Sequence, residues 1–412
     1  MKTKAMLAGA MVVALGLAAS NDRAFSAPAG RFDPGLVAKG AGLAAIGNCA
    51  TCHTKDQGRV FAGGRPLATP FGTIYSTNIT PDAETGIGGW TGDDFLRAMH
   101  EGVDRQGREL YPAFPYDHFT RVTDDDVAAL YAYVMTREPV RAVVPRNRLR
   151  FPMSVRSLIG LWKAAYFRPG VYRPDPVRGA EWNRGAYLVE GLAHCGACHT
   201  PRNALGAERQ ERTLDGGEAE GWHASSLAAD SPAPERWTAE QLYEYLRAGR
   251  EREHGTAAGP MADVTHNLAD AAEADVRAIA LYIASRMPER PLSPRHDGER
   301  NVSTEGAQIF AGACAPCHGT VPPTFSGAAI PLELTTSLNA PDPRNAIHIV
   351  MEGLRPEAGD RGALMPGFAS GLTDAQVAAL VDYLHARYTD RAAWQEVAAQ
   401  VAAIRRSLEG EP

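Results

Sequence analysis

The sequence predicts an all-α protein of three small helical domains in tandem, joined by long irregular connectors. Three observations support this prediction. The pattern Cys-x-x-Cys-His occurs three times, a glycine in a short helical stretch precedes each copy, and an amphipathic helix of similar sequence follows each copy. A chain of 412 residues has room for about two to four domains, and its apolar fraction of 44% is that of a globular protein.

Residues 1–26 are typical of an export signal. Lys2 and Lys4 give a positive start, residues 5–19 form an unbroken apolar run, and Ala24-Phe25-Ser26 offers a cleavage site. The apolar run is shorter than the ~20 residues of a membrane-spanning helix. Removing residues 1–26 changes the net charge from −6 to −8, which argues against a nucleic-acid partner. We therefore expect an exported protein that is soluble or held at a membrane through its partners.

The six cysteines all fall within the repeated pattern. They pair as Cys49 with Cys52, Cys195 with Cys198, and Cys314 with Cys317, and each pair is followed directly by His53, His199 or His318. An even number of cysteines in an exported chain usually suggests disulfides, but here no cysteine is left outside the three doublets. The composition predicts only about 0.003 such patterns by chance.

This spacing is the one that covalent haem attachment requires. Cysteines three positions apart lie on one face of a helical turn, so their sulfurs reach the two vinyl groups of one haem. The next residue, histidine, then offers its imidazole to the iron. A zinc site would need four ligands for each metal, and a thioredoxin-like pair would need no histidine and a βαβ context. The sequence predicts three covalently bound haem c groups.

The features around the motifs recur as well. Gly40, Gly185 and Gly306 precede the motifs, and the helices at 126–133, 275–282 and 376–383 follow them, so the first and last helix of each repeat are expected to pack closely at the glycine. This organisation is class I cytochrome c-like. We place the domains at 28–145, 179–288 and 301–390, followed by an amphipathic tail at 391–412.

The sixth iron ligand is predicted from the loop between each motif and its last helix. Met261, beside Pro260, and Met365, beside Pro366, lie in the second and third of these loops, and methionine ligation closes the iron. The first loop carries Phe114 at this place, and phenylalanine cannot bind iron. We favour Met99 as the ligand there, on an amphipathic helix expected to face the haem. His118, or an open iron, remain alternatives.

Distinctive strings extend the interpretation beyond the motifs. The segment 71–82 reads FGTIYSTNITPD and the segment 110–116 reads LYPAFPY. With the three motifs, they resemble the tri-haem cytochrome c subunits of bacterial periplasmic dehydrogenases over nearly the whole chain after residue 26. The resemblance implies a catalytic partner subunit, which in this family is a quinoprotein, a flavoprotein or a molybdenum hydroxylase. Many members carry methionine where this chain has Phe114. In lacking this methionine, the chain resembles the branch of the family that accompanies molybdenum enzymes.

The resemblance also implies the direction of electron flow. Electrons would pass from the partner dehydrogenase through three haems to ubiquinone or a terminal oxidase, in the periplasm at the outer face of the cytoplasmic membrane. The alternatives are a multihaem peroxidase or reductase acting at an open first haem, and a gas or redox sensor. The sequence shows no nucleotide-binding loop, nucleophile elbow or supported carboxylate pair, so we assign no catalytic residue.

Overall fold

The computed structural model of the protein describes residues 32–287, 303–319, 331–354 and 365–410. The predicted export signal 1–26 and most of the predicted second connector, 288–300, lie outside the described residues. Helices account for about half of the described residues. Among these residues no helix is long and apolar enough to cross a bilayer.

Seventeen α-helices are seen in the described residues. Those up to the second motif are α1 Pro34–Ile46, α2 Cys49–His53, α3 Gly92–Glu101, α4 Tyr116–Phe119, α5 Asp124–Met135, α6 Leu158–Tyr166, α7 Ala180–Tyr187 and α8 Gly196–His199. The later ones are α9 Ala239–Ala248, α10 Pro260–Leu268, α11 Glu273–Arg286, α12 Thr304–Ile309, α13 Ala315–His318, α14 Thr336–Asn339, α15 Arg344–Glu352, α16 Asp374–Tyr388 and α17 Val397–Leu408. Single π-helical turns at Leu188–Leu192 and Phe310–Cys314 lead into the second and third motifs.

Short antiparallel strands accompany the helices, so the prediction of a purely helical protein was incomplete. They are β1 Pro66–Thr69, β2 Gly72–Tyr75, β3 Arg148–Leu149, β4 Gly217–Ala219, β5 Trp222–Ala224, β6 Arg250–Glu251 and β7 Gly255–Thr256. β1, β2 and β3 form one sheet, β4 pairs with β5, and β6 pairs with β7. The strands are two to four residues long, too short for their alternation to stand out in the sequence.

Three helix pairs form the framework: α1 with α5, α7 with α11, and α12 with α16. Each pair meets at the glycine that the sequence singled out. A Cβ atom at Gly40, Gly185 or Gly306 would lie 2.0, 2.0 or 2.1 Å from the carbonyl oxygen of Ala129, Ala278 or Ala379, respectively. The predicted close packing is confirmed, because no side chain larger than hydrogen fits at these three crossings.

Two of the three last helices, α5 and α16, begin at side-chain caps, whereas α11 begins after Ala272 without one. Thr373 and Gln376 form a complete capping box at the start of α16, whereas Thr123 accepts only the backbone N–H of Asp126 at α5. Such caps satisfy N–H groups that have no partner within the helix. They define where the helices that cross Gly40 and Gly306 begin.

The segment between α5 and α7 is not irregular throughout. It contributes β3 to the first sheet and then forms α6, whose Ile159 is buried. The sequence prediction missed this nine-residue helix because prolines and arginines surround it on both sides. At the other end of the chain, α17 packs on α16 and buries Val397, Val401 and Ile404.

Candidate haem sites

Each of the three motifs forms a single helical turn, and we refer to these turns with their surroundings as the first, second and third sites. No disulfide joins the six cysteines. Burial raises the pKa of Cys49 and Cys195 to about 12, and the pKa of Cys198 and Cys314 to about 11. None of the six sulfurs is used in a disulfide, so all of them are available for thioether bonds to a haem.

The motif histidines of the first two sites are held in one orientation. The Nδ1 atom of His53 lies 2.7 Å from the carbonyl oxygen of Thr77, and Nδ1 of His199 lies 2.6 Å from that of Ser225. Because a carbonyl can only accept, Nδ1 carries the proton and Nε2 keeps its lone pair. Burial also lowers the pKa of both imidazoles. Each ring is thus a neutral ligand with Nε2 free for a metal ion.

The third histidine has the same burial but a different neighbourhood. Burial lowers the pKa of His318, and its Nδ1 atom is buried without an acceptor among the described residues. Residues 320–330, which follow it in the chain, are outside those residues.

One continuous cavity of about 1990 Å³ joins the second and third sites. It is lined by both cysteines and the histidine of each site and by both predicted methionines: Cys195, Cys198, His199, Met261, Cys314, Cys317, His318 and Met365. Most of the remaining lining is apolar, and Cys52 of the first site also lines the cavity. The volume is about twice the upper end for a pocket that holds one small ligand, ~1,000 Å³. The donor set and the space both fit two haems attached by thioethers.

The loops that carry the methionines are fixed by backbone contacts. Met261 is the second residue of α10, directly after Gly259-Pro260, and the φ of 53° at Gly259 and its close approach to the Trp222 ring leave no room for a Cβ atom. Met365 exchanges two backbone hydrogen bonds with Leu354, of 2.9 and 3.0 Å. The structure therefore places both methionines on the cavity wall, as iron ligation requires.

The first site differs at the equivalent position. The N–H of Leu110 donates to the carbonyl of Gly102, at 2.8 Å, as the N–H of Ala257 donates to Gly249, at 2.7 Å. Both glycines end a helix in the left-handed conformation. Phe114 follows Leu110 by four residues, as Met261 follows Ala257. Phe114 thus stands at the structural place of Met261, and its ring packs against Phe119 instead, with centroids 5.2 Å apart.

Met99 is buried in α3, three residues before the glycine that ends the helix. Leu246 and Val350 occupy the same position before the ends of α9 and α15, and both are buried core residues. Met99 packs in the same cluster as Leu43 and Phe119. It therefore fills a core position, and its ligation of iron stays a prediction.

The structure excludes the other side-chain candidate, His118. Its Nδ1 atom lies 2.9 Å from the carbonyl of Glu190, and its Nε2 atom lies 2.9 Å from a carboxylate oxygen of Glu208. Both partners are acceptors, so both ring nitrogens donate and neither has a lone pair for iron. Burial acts to lower the pKa of His118, but the hydrogen bond and charge of Glu208 outweigh it and raise the pKa. His118 is an ion-pair partner, and the sequence-based expectation that it could bind iron was wrong.

Two polar links between the first and second sites could not be read from the sequence. Arg65 donates to the carbonyl of Thr51, at 2.8 Å, and to the carboxylate of Glu220, at 2.9 and 3.1 Å. Asn267, near the end of α10, donates to Asn48 and, at 2.9 Å, to the hydroxyl of Thr51. Glu220 lies 155 residues from Arg65 in the chain, and Asn48 lies 219 residues from Asn267. No local sequence signal therefore marks either contact.

The chain matches known cytochromes over most of its length. Residues 37–138 match the family model described as cytochrome c, and residues 301–384 match the model described as cytochrome c oxidase, cbb3-type, subunit III. The chain is 36% identical to the fructose dehydrogenase cytochrome subunit of Gluconobacter japonicus, with 92% of this chain and 85% of that protein aligned. It is 38% identical to the gluconate 2-dehydrogenase cytochrome c subunit of Pantoea cypripedii, with 90% of each aligned.

A longer relative aligns with almost all of the chain. A nicotinate dehydrogenase subunit of Pseudomonas putida is 43% identical over 97% of this chain, but the chain spans only 35% of that protein's length.

Proposed function

The chain belongs to the family of cytochrome c subunits of dehydrogenases, and we propose that it carries three covalent c-type haems that pass electrons from a catalytic dehydrogenase subunit to ubiquinone or a terminal oxidase. The observation that carries the proposal is the cavity that unites Met261 and Met365 with two motif turns. A haem ligated by histidine and methionine supplies a one-electron carrier with no open coordination position. Transfer of electrons is then its role, and oxidation of the substrate belongs to the partner.

Different residues of the chain would have different roles in holding the haem at each site. The paired cysteines would hold the ring covalently, while His53, His199 and His318 would offer Nε2 to the iron. Thr77 and Ser225 hold two of these histidines through their carbonyls. Met261 and Met365 would be further ligands of the second and third haems, and the apolar walls would exclude water.

The contacts between sites support a linear order of first, second and third haem. Cys52 of the first motif lines the same cavity as Cys198 of the second motif, and hydrogen bonds of Arg65 and Asn267 join the two motif regions. These contacts support a first haem that would lie beside the second. The shared cavity supports a second haem that would lie next to the third. The second site thus lies in the middle of the proposed path.

We propose that the partner is the catalytic subunit of a quinoprotein, flavoprotein or molybdenum-hydroxylase dehydrogenase, in the periplasm at the outer face of the cytoplasmic membrane. The relatives are subunits of fructose, gluconate and nicotinate dehydrogenases, which supports a partner of this kind. Co-purification from the native host, followed by identification of the companion chain, tests it. Isolation of the cytochrome without any dehydrogenase subunit under mild conditions contradicts it.

A second candidate function rests on Phe114. If neither Met99 nor another side chain binds the first iron, that site is open and suits a multihaem peroxidase or reductase. Spectra of the reduced protein with and without carbon monoxide separate the two functions. An electron carrier with six-coordinate haems responds little, whereas rapid carbon monoxide binding by one third of the haem favours the enzyme.

The haem number is tested on the same protein. We expect three haems for each chain by a haem assay against protein concentration, and two after Cys314→Ala/Cys317→Ala. An unchanged haem content in that variant contradicts attachment at the third motif.

A further inference from the structure

The segment 141–178, between α5 and α7, concentrates exposed apolar side chains. Ten large hydrophobic residues are exposed in the described part of the chain, and seven of them lie in this segment. They are Val143, Phe151, Val155, Leu158, Leu161, Val171 and Val177. The most exposed among them, Val143, Phe151 and Val177, keep 84 to 88% of their surface in solvent. We call the exposed side of segment 141–178 the connector face. Apolar exposure concentrated in one segment in this way is typical of an interaction surface.

The exposed apolar side chains of helix α6 lie on one side of the helix. Ile159 is buried and Lys163 pairs with Glu109 on the inner side. Leu158, Leu161 and Ala165 lie on the opposite side, at the spacing of residues that share one helix face, and all three are exposed. The helix therefore turns a narrow apolar stripe away from the protein.

The connector face is held firmly in place. Arg156 donates to the carbonyl of Glu109, at 2.6 Å, and Tyr111 donates to the carbonyl of Met153, at 3.2 Å. Trp162 donates to the carbonyl of Leu205, at 3.0 Å. Its exposed side chains thus project from a fixed backbone, so little conformational freedom is lost when a partner binds them.

The same segment carries a charge opposite to that of the rest of the chain. It contains nine of the 42 basic residues and one of the 48 acidic residues, which gives it a net charge of +8 against −14 for the remainder. Arg146, Arg148 and Arg150 are exposed and form no ion pair within the described residues. These guanidinium groups are available to an external anion.

We propose that the connector face binds an anionic phospholipid surface, with α6 in the plane of the headgroups and Phe151 and Leu161 inserted below them. Apolar side chains combined with flanking basic residues are the composition of interfacial membrane-binding segments. The charge distribution favours a lipid surface because the remainder of the chain would be repelled by it, so only this face can approach. A direct contact of this chain with the membrane would replace the association through partners that the sequence led us to expect.

Docking in this orientation would also specify where electrons leave the chain. This part of the inference rests on the membrane-borne acceptor of the proposed function. The connector face contacts Glu109 and Tyr111, which lie in the loop that carries Phe114 at the first site. Membrane binding would bring the first site, rather than the third, to the bilayer. Electrons would then leave for a membrane-borne quinone from the end of the path next to the connector.

Vesicle binding of the full-length cytochrome with its haems tests the proposal. The wild-type protein is sedimented with vesicles of phosphatidylcholine alone and with vesicles containing about half phosphatidylglycerol. We expect binding to the anionic vesicles that weakens with salt. Arg148→Glu/Arg150→Glu should lower the partition coefficient by at least ~25-fold, since each basic residue near an anionic surface contributes a factor of about five. Phe151→Ser/Leu161→Ser should lower it by at least ~10-fold.

A matched control is Arg406→Glu/Leu408→Ser, which removes an exposed arginine and an exposed leucine from α17. It should leave binding unchanged. Equal binding by the parent and both connector variants, loss of binding only in the control, or no binding by the parent would overturn the proposal. Retained vesicle binding together with lost co-purification of the dehydrogenase subunit would assign the face to a protein partner instead.

The haem content and absorbance spectrum of every variant are measured alongside. They report on the proposed electron-transfer function separately from membrane binding. The substituted side chains are exposed, so the variants should melt within about 1 °C of the parent.

Discussion

The buried pair of His118 and Glu208 makes a quantitative prediction for the variant Glu208→Gln. The side chains are 11% and 4% exposed, and they link α4 to the loop after the second motif. Both ring nitrogens of His118 face acceptors, so the folded protein holds an imidazolium there. Burial acts to raise the pKa of Glu208, but the hydrogen bond and charge of His118, with help from Arg202, lower it.

The direction of the pH dependence follows from these two shifts. The raised pKa of His118 stabilises the fold fully below the unfolded value of about 6.5, and this contribution is lost as the pH rises through the folded pKa. The lowered pKa of Glu208 stabilises the fold above about 4.5 and is lost as the pH falls through its folded pKa. Both contributions are complete between about pH 4.5 and 6.5.

Removing one partner of a buried pair costs about 3–5 kcal/mol, and the glutamine oxygen can still accept one hydrogen bond. We therefore expect Glu208→Gln to lower the free energy of unfolding by about 2 kcal/mol at pH 6 and by clearly less at pH 9.

Urea unfolding followed by circular dichroism at both pH values measures this difference. Glu240→Gln is the control, because Glu240 pairs with Arg277 while its side chain stays 62% exposed. Such a pair contributes ~1 kcal/mol or less. An equal loss at pH 6 and pH 9 in Glu208→Gln, or a loss no larger than in the control, refutes the charged pair as the cause.

Three further predictions concern the haem sites and the helix crossings. Met261→Leu should open one iron, so that carbon monoxide binds about one third of the reduced haem, and a silent spectrum contradicts ligation by Met261. Met99→Leu should remove a methionine–iron signal from the absorbance or paramagnetic NMR spectrum, and an unchanged spectrum contradicts ligation by Met99. Gly306→Ala, whose Cβ would lie 2.1 Å from a carbonyl oxygen, should destabilise the third helix pair by about 3 kcal/mol or more. Gly312→Ala is the control, because no heavy atom lies within 4 Å of the added Cβ. Equal melting temperatures of the two variants contradict the reasoning.

The parts of the fold predicted best are those that depend on short-range geometry. The motif turns and the glycine crossings follow from spacings within a few residues, and Phe114 is recognised because its loop has counterparts with methionine. The chemistry of His118 was not predictable in this way, because its partner Glu208 lies 90 residues further along the chain. A histidine near a haem motif suits iron or a carboxylate equally well until the tertiary contact is known.

The strands and α6 were missed for a different reason. β4 and β6 are only three and two residues long, so their order comes from pairing and glycine turns rather than from side-chain alternation. The helical character of α6 depends on contacts such as the ion pair of Lys163 with Glu109, since a nine-residue helix is marginal by itself. The shared cavity likewise depends on how two repeats pack, which no single repeat encodes.

Helix α10 has a mechanical consequence for the proposed path. One end carries Met261 on the wall of the second site, and the other end bonds through Asn267 to Asn48 and Thr51 at the first motif. Neighbouring domains of one chain usually swing relative to each other on microsecond to millisecond timescales. Because the nine-residue helix α10 contacts both sites, it restricts this relative motion of the two domains. The separation between the first two carriers then stays constant, and exchange between them needs no gating motion.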